Sequence, residues 1–355
     1  MMTEQKSEIL DIAKTLGFNR VRVAQVERSL GIQHYDSYLS KGHHATMGWM
    51  VRSRPPRENP FQLLPDAKVI LTLGIDYRWP TPPKPDFLSG RVAMYAWGRD
   101  YHKVITKRLK KMMDMITERY PNISGYWGVD SRPFIERAWA ERSGLGYIGK
   151  NTMLISPADS SYFFLAMLML NIDIEADEPI LRNHCGTCQR CIDKCPTDAF
   201  WKPYQLDSTK CISYLTIEHK GVIPIDLRPL IGDWLFGCDI CQDVCPHNGK
   251  KYDTSGNLQD LAPKPKQPFV DLHWLLDASC KEVDDFFAGT PLRRAGAQQL
   301  KRNACVVAGN LKAKSLQSSL QRLIQQDDPL LREHAQWAIY QIRNANVHKN
   351  SVSKS

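Results

Sequence analysis

The pattern of apolar and polar residues over the first 178 positions predicts strands alternating with helices. A nearly continuous apolar run at 69–73 is typical of a buried strand, which is predicted to extend over 68–77. Further strands are predicted at 18–26, 126–129 and 162–170, and helices at 1–16, 100–120 and 132–142. This part of the chain is therefore expected to be a mixed α/β domain.

The helix predicted at 100–120 is strongly amphipathic. Its apolar positions alternate with five basic residues, Lys103, Lys107, Arg108, Lys110 and Lys111. A helix that packs on the core and keeps a basic face in water accounts for this pattern without any function.

The C-terminal region contains an internal repeat of helical character. Residues 303–311 align with 334–342 at an offset of thirty-one positions, and compact apolar residues recur in both at helical spacing. Another amphipathic helix is predicted at 315–326, where two aspartates and Pro329 end it. Helix pairs at this interval predict a short solenoid of the HEAT kind.

Positive charge is concentrated in the same region. The chain has a net charge of +9, and residues 291–355 contain eleven lysines and arginines against three acidic residues. A helical face in water would explain these charges without a function. A basic solenoid can instead bind a phosphate backbone. RNA or DNA is the expected partner, with contacts expected from Arg293, Arg294, Lys301 and Arg302.

Eight of the ten cysteines lie between positions 185 and 245. They form the runs Cys185-x2-Cys188-x2-Cys191-x3-Cys195-Pro196 and Cys238-x2-Cys241-x3-Cys245-Pro246, with Cys211 between the runs. The first run is the bacterial ferredoxin pattern, in which three thiolates bind one four-iron cluster and the fourth binds the neighbouring cluster.

This crossover divides the eight thiols into two sets of four. The first set is Cys185, Cys188, Cys191 and Cys245, because the second run has only three cysteines and its last one completes the first cluster. The second set is Cys195, Cys211, Cys238 and Cys241, because Cys211 is the one nearby thiol left. The sequence therefore predicts two 4Fe–4S clusters close together.

Zinc and disulfides are the competing uses of these cysteines. Structural zinc also uses C-x2-C pairs, but a triple run followed by Cys-Pro is not zinc spacing. Disulfides are disfavoured because no signal peptide precedes the first helix, and we expect the protein to be soluble in the reducing cytoplasm. No apolar run reaches the ~18 residues of a membrane span. Cys280 and Cys305 lie outside the cluster window and are expected to be buried and unreactive.

No common nucleotide-binding or hydrolase motif accompanies the clusters. Gly144, Gly146 and Gly149 have dinucleotide-binding spacing, but they follow a predicted helix instead of a strand. Two low-potential electron carriers therefore need a further redox centre or substrate, and a low-potential electron donor that the sequence does not identify.

The stretch from Gly128-Val-Asp130 through Gly144-Leu-Gly146-Tyr-Ile-Gly149-Lys150-Asn151 resembles the signature of the epoxyqueuosine reductase family. The resemblance covers essentially residues 5–345. It includes residues 96–103, the spacing of Arg57, Pro60 and Leu63-Leu64-Pro65, both cysteine runs with Cys211, and residues 289–296 ahead of Arg302-Asn303.

The resemblance implies an α+β fold in three parts. These are a nitroreductase-like cobalamin-binding α/β domain at 1–178, a ferredoxin-like module with two 4Fe–4S clusters at 179–255, and a basic HEAT-like helical tRNA-binding domain at 256–355. It also implies an enzyme, expected to be a monomer, that reduces epoxyqueuosine to queuosine at the wobble position of tRNA. Cobalamin fed by the two clusters would be its cofactor.

The resemblance further implies roles for individual residues. Asp130 matches the proposed proton donor, which requires a raised pKa at neutral pH. From the sequence alone Asp130 could instead cap a helix that begins at Ser131. Cobalamin contacts are implied for Asp130 and for Arg57, Lys150, Leu154, Ser213, Cys238 and Asp239.

Two other functions compete with this one. A reductive dehalogenase-like enzyme would share the cofactors, but such proteins typically carry a twin-arginine export signal, and the basic tail would be unexplained. A non-enzymatic Fe–S nucleic-acid-binding protein would use the clusters only as structure and would not need Asp130, Lys150 or cobalamin.

Overall fold

The computed structural model describes residues 2–156, 160–249, 254, 257–265 and 267–344. Within these ranges the α-helices are α1 (Met2–Thr15), α2 (Ile32–Ser40), α3 (Gly48–Arg52), α4 (Arg54–Glu58), α5 (Tyr101–Arg119), α6 (Glu136–Arg142), α7 (Arg190–Asp193), α8 (Ile212–Ile217), α9 (Ile240–Asp243), α10 (Leu272–Asp277), α11 (Cys280–Phe286), α12 (Ala297–Asn310), α13 (Gln317–Gln325) and α14 (Pro329–Asn344). The strands are β1 (Arg20–Gln25), β2 (Val69–Asp76), β3 (Ser89–Val92), β4 (Gly125–Gly128), β5 (Tyr147–Ile148), β6 (Leu154–Ile155), β7 (Phe163–Leu170), β8 (Phe200–Lys202), β9 (Gln205–Leu206), β10 (Trp234–Phe236) and β11 (Phe269–Asp271).

The long strands form an antiparallel sheet of order β1–β2–β7–β4. Seven of the eight residues of β2 are buried because helices cover both faces of the sheet. Leu71 and Leu168 face the core shared with α1 and α5, whereas Ile70 and Met169 face α6. This two-sided burial explains the continuous apolar run that predicted the strand.

The predicted mixed α/β character of this half is confirmed, and most element boundaries agree within two residues. The exception is α6, which begins at Glu136 and not at 132. Pro133 explains the delay, because a proline disfavours the helical conformation at the residue before it. The residues from Asp130 to Ile135 therefore form a loop, and this loop carries the candidate proton donor.

A second sheet joins the three predicted segments. Its order is β10–β3–β11, with β10 parallel and β11 antiparallel to β3. One hydrophobic core extends from Ile9 in α1 to Ile342 in α14. The α/β part, the cysteine-rich part and the C-terminal helices therefore share a sheet and a core.

The C-terminal helices pack through small residues. The predicted helices at 303–311, 315–326 and 334–342 are confirmed within α12, α13 and α14. Gly309 lies against Trp337, and a Cβ atom at position 309 would come within 2.5 Å of its ring. Across the described ranges, no helix combines the length and the apolarity needed to span a membrane.

Candidate functional site

The N-terminus of α5 positions two polar side chains, Tyr101 and His102. Asp100 is the N-cap of this helix, and its side chain accepts a hydrogen bond from the backbone N–H of His102 (3.1 Å). The same carboxylate contacts Nδ1 of His102 at 2.8 Å. Asp100 therefore fixes both the start of the helix and the orientation of the imidazole.

Asp130 faces these two side chains from the loop after β4. Its Oδ2 atom accepts a hydrogen bond from the Tyr101 hydroxyl (2.7 Å) and lies 3.1 Å from Nε2 of His102. Its backbone has a φ of 52°, a left-handed conformation that Asp tolerates better than most residues. Since α6 begins only at Glu136, Asp130 does not cap a helix.

The pair formed by His102 and Asp130 is charged. Burial opposes protonation of His102, but its hydrogen bonds to Asp100 and Asp130 dominate and raise its pKa to about 9. Desolvation similarly opposes ionisation of Asp130, yet the hydrogen bonds from His102 and Tyr101 lower its pKa to about 2. The expectation of a raised Asp130 pKa is therefore wrong for this structure, and the proton resides on His102.

Glu136 and Arg57 hold the loop that carries Asp130. A carboxylate oxygen of Glu136 accepts the backbone N–H of Asp130 at 2.6 Å. Desolvation and the charge of Asp130 raise the pKa of Glu136 to about 8. Arg57 donates to the Phe134 carbonyl and to Ser53 (3.0 Å). Both ends of the loop are thereby tied to neighbouring elements.

Tyr95 links Asp130 to the cysteine-rich part. Its ring lies 6.1 Å from the ring of Tyr101 and 6.1 Å from the ring of Phe236. Gly237, which precedes Cys238, is so close that a Cβ atom there would lie 3.4 Å from the Tyr95 ring. Burial and the charges of Asp130 and Asp239 raise the pKa of Tyr95. A continuous series of contacts therefore joins the proposed proton donor to a cysteine of the second set.

The first set of cysteines surrounds a small cavity. All four of its thiols line a space of about 100 Å³. Burial raises the pKa of Cys191 to about 11, and the charges of Cys185 and Cys245 add to this shift. The structure thus brings together the four cysteines that the crossover pattern had grouped.

Lys150 belongs to this cavity. It is 9% exposed and donates to the backbone carbonyls of Gly186 (2.7 Å) and Cys188 (2.9 Å). The structure therefore gives Lys150 a place in the first cysteine site. The predicted contact of Lys150 with cobalamin stays a prediction, and two hydrogen bonds leave the ammonium group one further N–H to donate.

The second set of cysteines also assembles. Burial raises the pKa of Cys238, as do the charges of Cys211 and Cys195, and burial and Cys238 do the same for Cys241. Among the described residues, no group of three or more His, Cys, Asp or Glu side chains meets around a point as the ligands of a single metal ion would. Thiolates of a four-iron cube bond different irons and are spread around the cube, which suits this arrangement.

The remaining predicted cofactor contacts lie near these centres with different exposures. Asp239 is 5% exposed, and its Oδ2 atom accepts the backbone N–H of Met94 at 2.7 Å. Ser213 lies in the first turn of α8, two residues after Cys211, which is the N-cap of this helix. Leu154 is buried in a cluster with Leu145 and Phe163. Contacts of these three residues with a cofactor stay predictions.

The four predicted tRNA contacts separate into two exposed and two buried side chains. Arg293 and Arg294 are exposed, and Arg294 pairs with Glu218 and lies near enough to Asp130 to lower its pKa. Lys301 is 3% exposed and Arg302 is fully buried. The prediction that Lys301 and Arg302 contact phosphates is therefore wrong. Lys349 and Lys354, which belong to the eleven lysines and arginines of residues 291–355, lie outside the described residues.

The side chains of both buried cations donate hydrogen bonds to backbone carbonyls. Lys301 donates to the carbonyls of Leu276 (3.2 Å) and Ala278 at the end of α10. Arg302 donates to the carbonyls of Leu215 (2.7 Å), His219 (2.7 Å) and Gly221 (2.8 Å). These cations stabilise the junction of α12 with α8 and α10.

We expect Arg302→Met to lower the free energy of unfolding by about 1–3 kcal/mol, because the buried carbonyl of Leu215 loses its donor, whereas the bonds to His219 and Gly221 are only partly buried. Urea unfolding followed by tryptophan fluorescence measures the change. Arg322→Met is the matched control, since Arg322 is exposed and its ion pair with Asp277 (2.7 Å) is worth less than about 1 kcal/mol. Equal effects of the two substitutions would contradict a structural role for Arg302.

Comparison with known proteins agrees with this site. The family model described as epoxyqueuosine reductase QueG, DUF1730, matches residues 57–131, and that of the 4Fe-4S double cluster binding domain matches residues 184–248. An epoxyqueuosine reductase of Pseudomonas aeruginosa is 38% identical over 338 residues, which cover 93% of this chain and 92% of the relative. The Escherichia coli epoxyqueuosine reductase is 35% identical over 333 residues, with coverages of 92% and 86%.

A solved structure of similar fold provides an independent comparison. The crystal structure of an epoxyqueuosine reductase with an epoxyqueuosine-modified tRNA-Tyr stem loop superposes with a TM-score of 0.88 at 30% identity. The match covers 100% of this chain and 95% of that one. Sequence and fold thus agree over the full length, and the chain belongs to the epoxyqueuosine reductase family.

Proposed function

We propose that this protein reduces epoxyqueuosine to queuosine at the wobble position of tRNA. Loss of the epoxide oxygen as water consumes two electrons and two protons and leaves a carbon–carbon double bond. Membership of the family supports this reaction, as do two sites for electron carriers. The observation that carries the proposal is the series of contacts from Cys238 through Tyr95 and Tyr101 to Asp130.

Cobalamin is the proposed cofactor between the second cluster and Asp130. When bound, it supplies a two-electron reductant that one-electron carriers can recharge. The structure fits such a group because Asp130, Asp239 and Gly237, the residue before Cys238, all lie near Tyr95, so the electron carrier and the proton donor approach one region. Asp130, Cys238 and Asp239 are the proposed contacts there, and Arg57, Leu154 and Ser213 are proposed from the resemblance alone.

The finer description of the fold is part of the same proposal. A sheet covered by α1, α5 and α6 supports the nitroreductase-like description of residues 1–178. Packing of α12 against α14 supports the HEAT-like description of the C-terminal helices. We propose that a monomer receives electrons from a low-potential donor at residues 179–255.

Asp130 and His102 act together in the proposed proton delivery. Both hydrogen bonds to the Asp130 carboxylate reach Oδ2, and Oδ1 has no hydrogen-bond partner among the residues that the structure describes. The side chain is 54% exposed, so a substrate oxygen can approach Oδ1. A bound nucleotide removes water from the carboxylate and raises its pKa, which favours transfer of the stored proton from His102 to Asp130. Rotation of the Asp130 carboxyl group then presents this proton, received on Oδ2, to the departing oxygen, and solvent supplies the second proton of the reduction.

The function is tested by single-turnover conversion of tRNA that carries epoxyqueuosine. The protein is loaded with iron, sulfide and cobalamin and reduced chemically, and the nucleosides are then analysed by mass spectrometry. We expect queuosine to form only with cobalamin present. Absence of queuosine from fully loaded, reduced protein that binds the tRNA would contradict the proposal.

The pH dependence of turnover reports the charge on His102. Asp100 and Asp130 contact its ring, while Arg294 and Glu136, whose own pKa is about 8, act on Asp130. Its protonated form is present below its pKa of about 9 and disappears as the pH rises through that value. We expect the single-turnover rate to fall above pH 9 in the parent, and His102→Gln to remove this decline and slow the reaction roughly tenfold or more. A parental rate that stays constant through the pKa of His102 would exclude it as the proton store.

A further inference from the structure

The basic face of α5 lines a groove that the reaction site does not account for. The groove has a volume of about 920 Å³ and lies between α5, the end of α1, residues 258–264 and residues 288–289. Of its sixteen lining residues, seven are lysine or arginine and two are aspartate. The face that the sequence placed in water is thus one wall of a concave, positively charged surface.

Several of these cations form no ion pair in the part of the chain that the structure describes, although the charge of Lys103 acts on nearby Asp100. Asp260 already pairs with Arg108 (2.9 Å) and Arg99 (3.7 Å). Lys103, Lys107 and Lys111 form no ion pair within the described ranges, and all three are exposed.

Their spacing makes this arrangement unfavourable without an anion. The three lysines follow one another at i, i+4 and i+8, so each is about 6 Å further along the helix axis. Like charges at this spacing destabilise a helix by about 0.2–0.5 kcal/mol per pair. A row of phosphates would neutralise all three lysines. A helix face that is only exposed to water does not require a lysine at each of these turns.

The groove reaches the start of α5, next to the reaction site. Asp100 lines it and also binds His102, which contacts Asp130. From there, the lysine stripe ends roughly 16 Å along the helix at Lys111. The backbone N–H of Asp100 donates to the carbonyl of Gly289 at 2.8 Å, just before the segment Pro291–Arg294 with its two exposed arginines.

We propose that this groove binds the phosphate backbone of the substrate RNA next to the reacting nucleotide, with Lys103, Lys107 and Lys111 as the contacts. The inference rests on the proposed function, since it assumes that the reacting nucleotide lies at Asp130. An acidic electron-transfer protein is the other polyanion that could fit a basic surface. Such a protein must deliver electrons to the clusters, and the groove shares no lining residue with the cavity of the first cysteine set.

The test compares Lys103→Gln/Lys107→Gln/Lys111→Gln with the parent and with Lys110→Gln. Lys110 lies on the same helix and is exposed, but it does not line the groove. Binding of fluorescent tRNA is measured by anisotropy over a series of salt concentrations. Each lost phosphate contact lowers the salt slope by about 0.7–0.9, so the triple variant should lose about 2–3 units of slope and roughly 10- to 100-fold in affinity near 0.15 M salt. Lys110→Gln removes none of the three contacts, so it should retain the parental slope and affinity.

An unchanged slope and affinity in the triple variant, with parental iron content, would overturn the proposal. Slower reduction of the clusters by an acidic electron-transfer protein, combined with unchanged tRNA binding, would instead assign the groove to a protein and also overturn it. Because binding is measured without turnover, this test decides on the groove even if the parent fails to convert epoxyqueuosine.

Turnover provides a second, independent readout. A trinucleotide that carries epoxyqueuosine is too short to follow the whole lysine stripe. The parent and the triple variant should therefore convert it at similar rates, whereas for full tRNA the variant should show a raised KM with little change in kcat. Equal slowing with both substrates would mean that the substitutions disturb the reaction site, which would contradict a separate role for the groove.

Discussion

Asp130→Asn is expected to slow conversion of epoxyqueuosine-containing tRNA by roughly 10²-fold or more, which is the usual effect of losing a general acid. Asparagine can still accept the hydrogen bond from Tyr101 (2.7 Å) and can keep the loop in place. It cannot receive a proton from His102 and pass it to the epoxide oxygen. The rate is measured under single-turnover conditions with reduced protein, so that electron supply does not limit it.

Asp114→Asn is a matched control for this substitution, because Asp114 is an exposed carboxylate on α5 beyond the reaction site. It should leave the rate unchanged. Absorption spectra should show parental cluster and cobalamin content in both variants. If Asp130→Asn reacts at the parental rate, the proton comes from another group, and a parallel loss in His102→Gln would then point to direct delivery from the imidazole.

The central strands and the cysteine sets were predictable because their causes are local. A strand covered on both sides needs apolar residues at every position, and β2 shows this over 69–73. Cluster ligation similarly depends on short spacings and on a count of thiols. The cysteines of each set lie near one another, as those spacings required.

The roles of the charged residues were less predictable, because a count of charges does not show whether each side chain points into the core or into water. Lys301 and Arg302 lie on α12, which is buried along most of its length, and carbonyls from α8 and α10 surround them. Only the packing of these helices decides that the two cations point inward. The basic face of α5 shows the opposite error. Its sequence pattern indicated only exposure to water, but in the structure this face lines a groove that distant segments complete. Cys280 was likewise expected to be buried and is exposed at the start of α11.

The electrostatics of Asp130 also depend on tertiary structure. His102 comes from the start of α5 and Glu136 from the start of α6, and the loop after β4 brings Asp130 to both. The family signature identified Asp130, but its low pKa results from partners that no spacing could reveal. The sequence Asp100-Tyr101-His102 could have indicated the partners of Asp130, because an N-cap aspartate fixes the start of the helix and with it the two following side chains.

Cys211→Ser is expected to remove one cluster and retain the other. Two four-iron clusters correspond to about eight irons per chain, so the variant should retain about four. Cys211 lies apart from both cysteine runs, at the N-cap of α8, where burial raises the pKa of its thiol. A serine hydroxyl at this position is a poor ligand for iron at neutral pH, and Cys195, Cys238 and Cys241 would be left with three thiolates.

Iron and sulfide analysis, together with electron paramagnetic resonance of the reduced protein, measures this loss. Cys280→Ser is the matched control, because Cys280 is exposed and lies outside both sets. It should retain about eight irons and parental turnover. Since Cys238 follows Gly237, which lies against Tyr95 on the route to Asp130, loss of the second cluster should abolish turnover even though the first cluster remains reducible. A Cys211→Ser protein with full iron content and full activity would show that the fourth ligand comes from elsewhere, and that the division of the eight cysteines is wrong.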